Sequence, residues 1–210
     1  MQPQEFRCKW VDKRELWNRA ERVRETFWQE GTLPVDTERI VELGVKLNIE
    51  PKHGLFSAID MDAYLKMDLT GIVVDHDFYM NDKFANRMRF SFAHELGHFF
   101  LHQEIISALK FETPLEWKKF IDSILEKDYR DFEWQANEFA GRLLVPPAQL
   151  KREIEKVHEV IRKERGLMQL LEVEPEAVLS GVSPALCKPF GVSTDVIETR
   201  ARREGLWPPT

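Results

Sequence analysis

Two histidines and a carboxylate close together in the chain set the chemistry to be explained. The stretch Phe90-Ser-Phe-Ala-His-Glu-Leu-Gly-His-Phe-Phe100 contains His94, Glu95 and His98. In a helix, residues four apart lie one turn above each other on a single face, so His94 and His98 would present two imidazoles to one metal ion. Glu95 is rotated by about 100° from His94, near enough to reach a water at the ion without being a ligand. Two neutral nitrogen donors, a nearby base and an open position for water are the parts of a hydrolytic zinc site.

Three fixed residues also arise by chance in unrelated helices. Here the flanks Phe90, Phe92, Phe99, Phe100 and Leu101 predict a buried helix, in which two histidines and a carboxylate need partners. A metal ion supplies them. His102 continues the interval, but eight residues turn a helix by about 800°, leaving it roughly 80° off His94 and two turns away. His102 is therefore expected to pack at the helix end or to bond a terminal carbonyl rather than to ligate.

A catalytic zinc site takes three protein ligands plus water. A helix expected from about Asp131, ending at Pro146-Pro147, carries Glu133 and Asn137 four apart, among the core positions Phe132, Ala136, Phe139, Leu143 and Leu144. Glu133 is the expected third ligand, and Asn137 the expected hydrogen-bond partner that orients one imidazole. Glu138 competes for the ligand role but lies further round, toward the charged side of the helix.

These groups need a scaffold. Leu16, Ala20, Val23 and Phe27 predict an amphipathic helix over residues 12–30 with Asp12 as cap, and a second short helix follows near Asp36 or Thr37. Between Gly54 and Asn81 the period changes: Leu55–Ile59 and Leu69–Asp75 read as strands, and Tyr79 could pair back on Val73 in a hairpin. The expected class is α+β, mostly helical, with a small, largely antiparallel sheet beside the histidine helix. Thr113-Pro-Leu-Glu116 is a capping box that opens a helix expected to run to about Asp128. Leu150, Ile154, Val157 and Ile161 mark a further helix closed by Gly166, and Ser193 caps a last one ending at Gly205. The expected domains are residues 1–165, with N-terminal helices over 12–50, sheet over 54–81 and metal site over 86–145, and a helical extension over 166–210.

The 210 residues, 43% hydrophobic and 31% charged, suit a globular chain. No apolar run reaches the ~20 residues that span a bilayer, and the N-terminal stretch lacks the apolar core of a secretory signal. Cys8 and Cys187 match no metal-binding spacing and read as free thiols in a reducing cytoplasm. A formal net charge of −6 disfavours clamping of nucleic acid through its phosphates.

Taken together, Arg89-Phe-Ser-Phe-Ala before His94-Glu-Leu-Gly-His98, then Leu101-His102, Glu133-x-x-Ala-Asn137-x-Phe-Ala140 and Leu143-Leu-Val-Pro146, resemble the ImmA/IrrE family of zinc metallopeptidases. Pro34-Val-Asp-x-x-Arg-Ile and the Gly71 strand followed by Asn81 extend the likeness over most of residues 33–150. The resemblance implies a compact gluzincin-like domain with zinc on His94, His98 and Glu133 and with Glu95 as base. It also implies a substrate class, the helix-turn-helix repressors of phage, mobile elements or stress regulons. The stretch Gln103 to Arg130 is longer than the family's usual connection, so the rim of the substrate site is expected to differ.

The oxyanion donor stays open among Tyr64, Tyr79, Tyr129, His76, His102 and His158. Two other roles are compatible with the sequence. One is a zinc-containing binding module without turnover, which has no need of Glu95. The other is a DNA-binding regulator acting through the Val192-Ser193 tail, whose arginines are offset by Asp195, Glu198 and Glu204.

Overall fold

A computed structural model describes residues 3–111 and 113–209. Helix α1 (Lys13–Phe27) is capped by the Asp12 carboxylate, which accepts from the Arg14 N–H, and buries Leu16, Ala20 and Val23. After the turn at Gly31 (φ +64°), Asp36 caps a short α2 (Thr37–Arg39) that runs on as a π turn over Ile40–Gly44. Both caps fall where the sequence placed them.

The sheet beside the metal helix is present, but its composition differs from the expected one. Strand β1 (Asn48–Lys52) runs parallel to β3 (Gly71–Asp75), and β2 (Ala63–Leu65) pairs antiparallel on the other side of β3, giving the order β1-β3-β2. The sheet is thus mixed. Strand β1 was not expected because Asn-Ile-Glu-Pro-Lys is short, polar and carries a proline, a residue tolerated here on an edge strand.

Leu55–Ile59 is a helical turn, α3, and not a strand. Its two buried residues, Leu55 and Ile59, are four apart, a spacing that a helix and a strand of this length share. Nor does the Tyr79 segment form a hairpin. Asp75 ends β3 and turns its carboxylate back onto the N–H groups of Asp77 and Phe78, which starts helix α4 (His76–Tyr79) instead.

The long helix α5 (Ala85–Leu101) carries both candidate histidines, and the short α6 (Gln103–Ala108) follows directly. Thr113 and Glu116 form the expected capping box of α7 (Pro114–Ile121). Helix α7 is shorter than expected, and α8 (Glu126–Leu144) starts a turn earlier, so Tyr129 joins the same helix as Glu133. Helix α9 (Pro147–Ile161) ends before Gly166, which lies inside α10 (Arg165–Val173). Gly166 keeps a negative φ and supplies no left-handed cap. Helix α11 (Pro175–Leu186) precedes α12 (Thr194–Arg203), which Ser193 caps at the Val196 N–H.

A main apolar core runs from Phe6 at the start through Leu96, Phe139 and Leu144 to Ile197 and Trp207, and Leu55 and Ile59 of α3 form a second, small cluster with Val73. Helix α5 packs on α8, which is backed by α1 and touched by α12, and β2 lies against α5. No helix among the described residues is long and apolar enough to cross a membrane.

Candidate metal centre

The site is built where α5 meets α8. Gly97 sits opposite Ala136, so closely that a Cβ on Gly97 would lie 3.0 Å from the Cα and from the carbonyl oxygen of Ala136. This approach brings Glu133, one turn earlier on α8, up to both histidines. His94 Nε2 lies 2.9 Å from His98 Nε2, and the Glu133 carboxylate lies 3.3 Å from the first and 3.7 Å from the second. All three predicted ligands therefore converge.

The far side of each ring shows how the histidines are oriented. His94 Nδ1 is 3.0 Å from Asn137 Oδ1, an acceptor, so Nδ1 carries the proton and Nε2 keeps its lone pair. His98 Nδ1 is 3.0 Å from His102 Nδ1, and His102 Nε2 faces Gln135 Oε1 at 3.4 Å. The Gln135 amide nitrogen donates to the Lys9 carbonyl and to Cys8 Sγ, which leaves its oxygen as acceptor. His102 Nε2 thus donates, His102 Nδ1 accepts from His98 Nδ1–H, and His98 Nε2 also points a lone pair inward. Phe132 lies flat against both His98 and His102, with ring centroids 4.2 and 4.3 Å away.

Two nitrogen lone pairs and a carboxylate aimed at one point require a positive charge between them. Burial works against charging His94, but the hydrogen bond and charge of Glu133 overcome it and push His94 up to about 9. Burial, reinforced by His94 and His102, holds His98 well below the usual imidazole range, and burial takes His102 down to about 4. A divalent ion fits the same place. Bonds of about 2.0–2.1 Å in a tetrahedral zinc site imply ligand–ligand edges of roughly 3.3 Å, and the three observed separations, 2.9, 3.3 and 3.7 Å, bracket that length.

Glu95 is buried beside this triad and is not part of it. Its Oε2 accepts the backbone N–H of Leu65 in β2 at 2.7 Å. Burial pushes its carboxyl up to about 7, with His94 opposing the rise and Glu133 adding to it. The cavity that these groups share measures about 40 Å³ and is walled by Met61, Tyr64, Ile106, Leu109 and Trp117. At roughly 10–15 Å³ per water it has room for a few waters and not for a peptide chain. It leads outward into a groove of about 450 Å³ whose walls include Tyr64, Lys66, Leu109 and Trp117. Helix α7, which carries Trp117, packs against α3.

Glu138 does not face a charged surface as expected. It is completely buried and binds Trp17 Nε1 at 2.5 Å, Arg200 at 2.5 Å and Arg203. The arginines come from α12, some sixty residues on, so nothing local in the sequence reveals them. Among the six oxyanion candidates, Tyr64 lines the cleft and Tyr129 stands one turn before Glu133 on α8, close enough to feel its charge. Burial first, then Glu133 and Glu95, keep the Tyr129 phenol far above its usual range and therefore neutral. His76 is engaged with Asp77, Tyr79 packs edge-on to Phe92, and His158 lies on α9. His102 stands outside the converging group and bonds the far side of His98. Its four-residue interval from His98, rather than its angle from His94, was the signal.

The family model described as the IrrE N-terminal-like domain, Peptidase_M78, matches residues 78–183, half of the chain and both helices of the metal centre. No curated protein and no solved structure matches.

Proposed function

We propose, on the premise that this chain belongs to the IrrE N-terminal-like family of peptidases, that it is a zinc-dependent endopeptidase whose general base is Glu95. The observation that carries this is the convergence of His94, His98 and Glu133 on one point with a buried carboxyl beside it, at the inner end of a cleft. A binding module has no use for the carboxyl, which burial destabilises in its charged form.

Bound between His94, His98 and Glu133, zinc would supply a Lewis acid that lowers the pKa of water toward about 7 and polarises a carbonyl. Glu95 takes the proton of the attacking water and passes it to the departing amine. The Leu65 N–H holds its Oε2, so Oε1 is the oxygen left to carry that proton. Asn137 and the His102–Gln135 pair fix the two imidazoles, and Phe132, stacked on His98, keeps that ring from rotating away. Tyr64, which lines the cleft, and Tyr129, a turn before Glu133 and neutral, are the two phenols available to donate to the oxyanion. Strand β2 is the sheet edge on the cleft side, and an extended substrate adds to it by main-chain hydrogen bonds.

The substrate class is drawn from the family resemblance: a helix-turn-helix repressor, cut to release transcription. Direct DNA contact is not part of the proposal. Of the α12 arginines, Arg200 is buried on Glu138 and Arg202 is paired with Glu176 and Glu198.

The test is Glu95→Gln, assayed with a small helix-turn-helix protein encoded beside this chain's gene. The variant is expected to keep zinc and to bind the partner but to leave it intact and repression in place. Relief of repression by the variant as complete as by the parent would rule out proteolysis as the mechanism.

A further inference from the structure

A second group of metal-ligating side chains stands at the end of the sheet, in none of the roles described above. Strands β1 and β3 are parallel, with Lys52 in register with Asp75. The residue that follows each strand is a histidine, so the topology sets His53 beside His76, with ring centroids 3.7 Å apart. Asp77 follows immediately. His76 Nδ1 lies 3.0 Å and His53 Nδ1 3.6 Å from Asp77 Oδ1, and the donor atoms of all three residues fall within 4.8 Å of one another.

We propose that His53, His76 and Asp77 form a second divalent-metal site, open to solvent, for a borderline transition ion such as zinc, nickel or copper(II). The two Nδ1–Oδ1 separations bracket the roughly 3.3 Å edge of a tetrahedral site with bonds of about 2.0–2.1 Å, as do those of the catalytic triad. Two imidazoles with a single carboxylate select against calcium and magnesium, which take oxygen ligands throughout.

The supporting backbone is rigid where the ligands leave it. Asp75 is buried, and its carboxylate accepts the N–H groups of Phe56, Asp77 and Phe78 at 2.9, 3.0 and 3.2 Å. These bonds fix the first turn of α4, from which His76 and Asp77 project. His53 and Asp77 each have about three quarters of the side chain exposed, and an ion there ties the β1 turn to α4. The exposure also leaves positions for water, so the site binds more weakly than the buried triad.

Equilibrium dialysis of the full chain against zinc, with metal analysis, tests the proposal. The parent is expected to bind two equivalents, His53→Ala and His76→Ala one each, and His94→Ala to lose the tighter equivalent while retaining the weaker. As a second readout, copper(II) bound to His94→Ala should show an EPR spectrum with nitrogen coupling that His53→Ala removes. One equivalent in the parent, or two that neither His53→Ala nor His76→Ala reduces, would overturn the site and leave Asp77 as an acceptor for two imidazole N–H groups. Neither result bears on the peptidase assignment, which rests on the other triad.

Discussion

Gly97 and Ala136 touch backbone to backbone, and this contact sets the distance between the helix that carries two of the proposed metal ligands and the helix that carries the third. The glycine lies inside the His-x-x-x-His stretch, so a side chain there has only main-chain atoms of α8 to displace. Gly97→Ala gains up to about 1 kcal/mol of helix propensity, but overpacking a close contact costs about 1–3 kcal/mol. The expected outcome is a slightly less stable protein with Glu133 moved outward and zinc affinity reduced. Calorimetric unfolding together with zinc titration checks both.

Glu133 and Glu138 are separated by five positions and have opposite surroundings. Glu133→Gln is expected to abolish tight zinc binding while leaving the fold intact. Glu138→Gln should keep the affinity of the folded protein for zinc and lose stability, because buried Arg200 loses one of its two carboxylate partners and keeps only Glu204. Breaking a buried ion pair typically costs about 3–5 kcal/mol, and Arg203, also on Glu138, retains its own exposure and softens the loss. Denaturant unfolding and metal analysis of the two variants separate the roles.

His102→Ala removes the acceptor that holds the His98 Nδ1–H and half of the stack on Phe132. Zinc affinity is expected to fall by about 10–100-fold, the usual effect of deleting a hydrogen bond to a ligand. His102→Asn, which keeps an acceptor, should recover part of it. Competition with a chelator measures the difference.

Trp117 walls both the inner cavity and the outer groove from α7. Its truncation to alanine is expected to open the cleft and to raise kcat/KM on an unfolded protein such as β-casein. Time courses of cleavage for Trp117→Ala and the parent at equal zinc occupancy provide the measurement.

Cys8 is half-buried, and burial followed by Asp131 and Asp128 pushes its thiol up to about 12. The reactive thiolate therefore appears only as pH rises toward that value, and at pH 8 it is about a 10⁻⁴ fraction. In a Cys187→Ser variant, Cys8 should react with a disulfide reagent roughly a thousandfold more slowly than a free thiol and speed up tenfold per pH unit. Denaturation should abolish the difference.

The pairing of His94 with His98, and of Glu133 with Asn137, was legible in the sequence because the helical repeat puts residues four apart on one face whatever surrounds them. Caps at Asp12, Asp36, Thr113 and Ser193 were legible for a similar reason: a side chain bonding N–H groups two or three residues on is a local event. Where two local structures competed, sequence chose poorly. Leu55–Ile59 and the Tyr79 segment became helical turns because Asp75 accepts three N–H groups from them, a choice made by one buried carboxylate.

Relations between distant residues belonged to the tertiary structure alone. The parallel register that sets His53 beside His76, the α12 arginines that turn Glu138 away from the metal, the Lys9–Gln135–His102 chain behind His98 and the placement of Trp117 over the cleft each join segments far apart in the chain. No period or spacing encodes such contacts. They follow from which surfaces the core brings together, and that is decided only when the whole chain is packed.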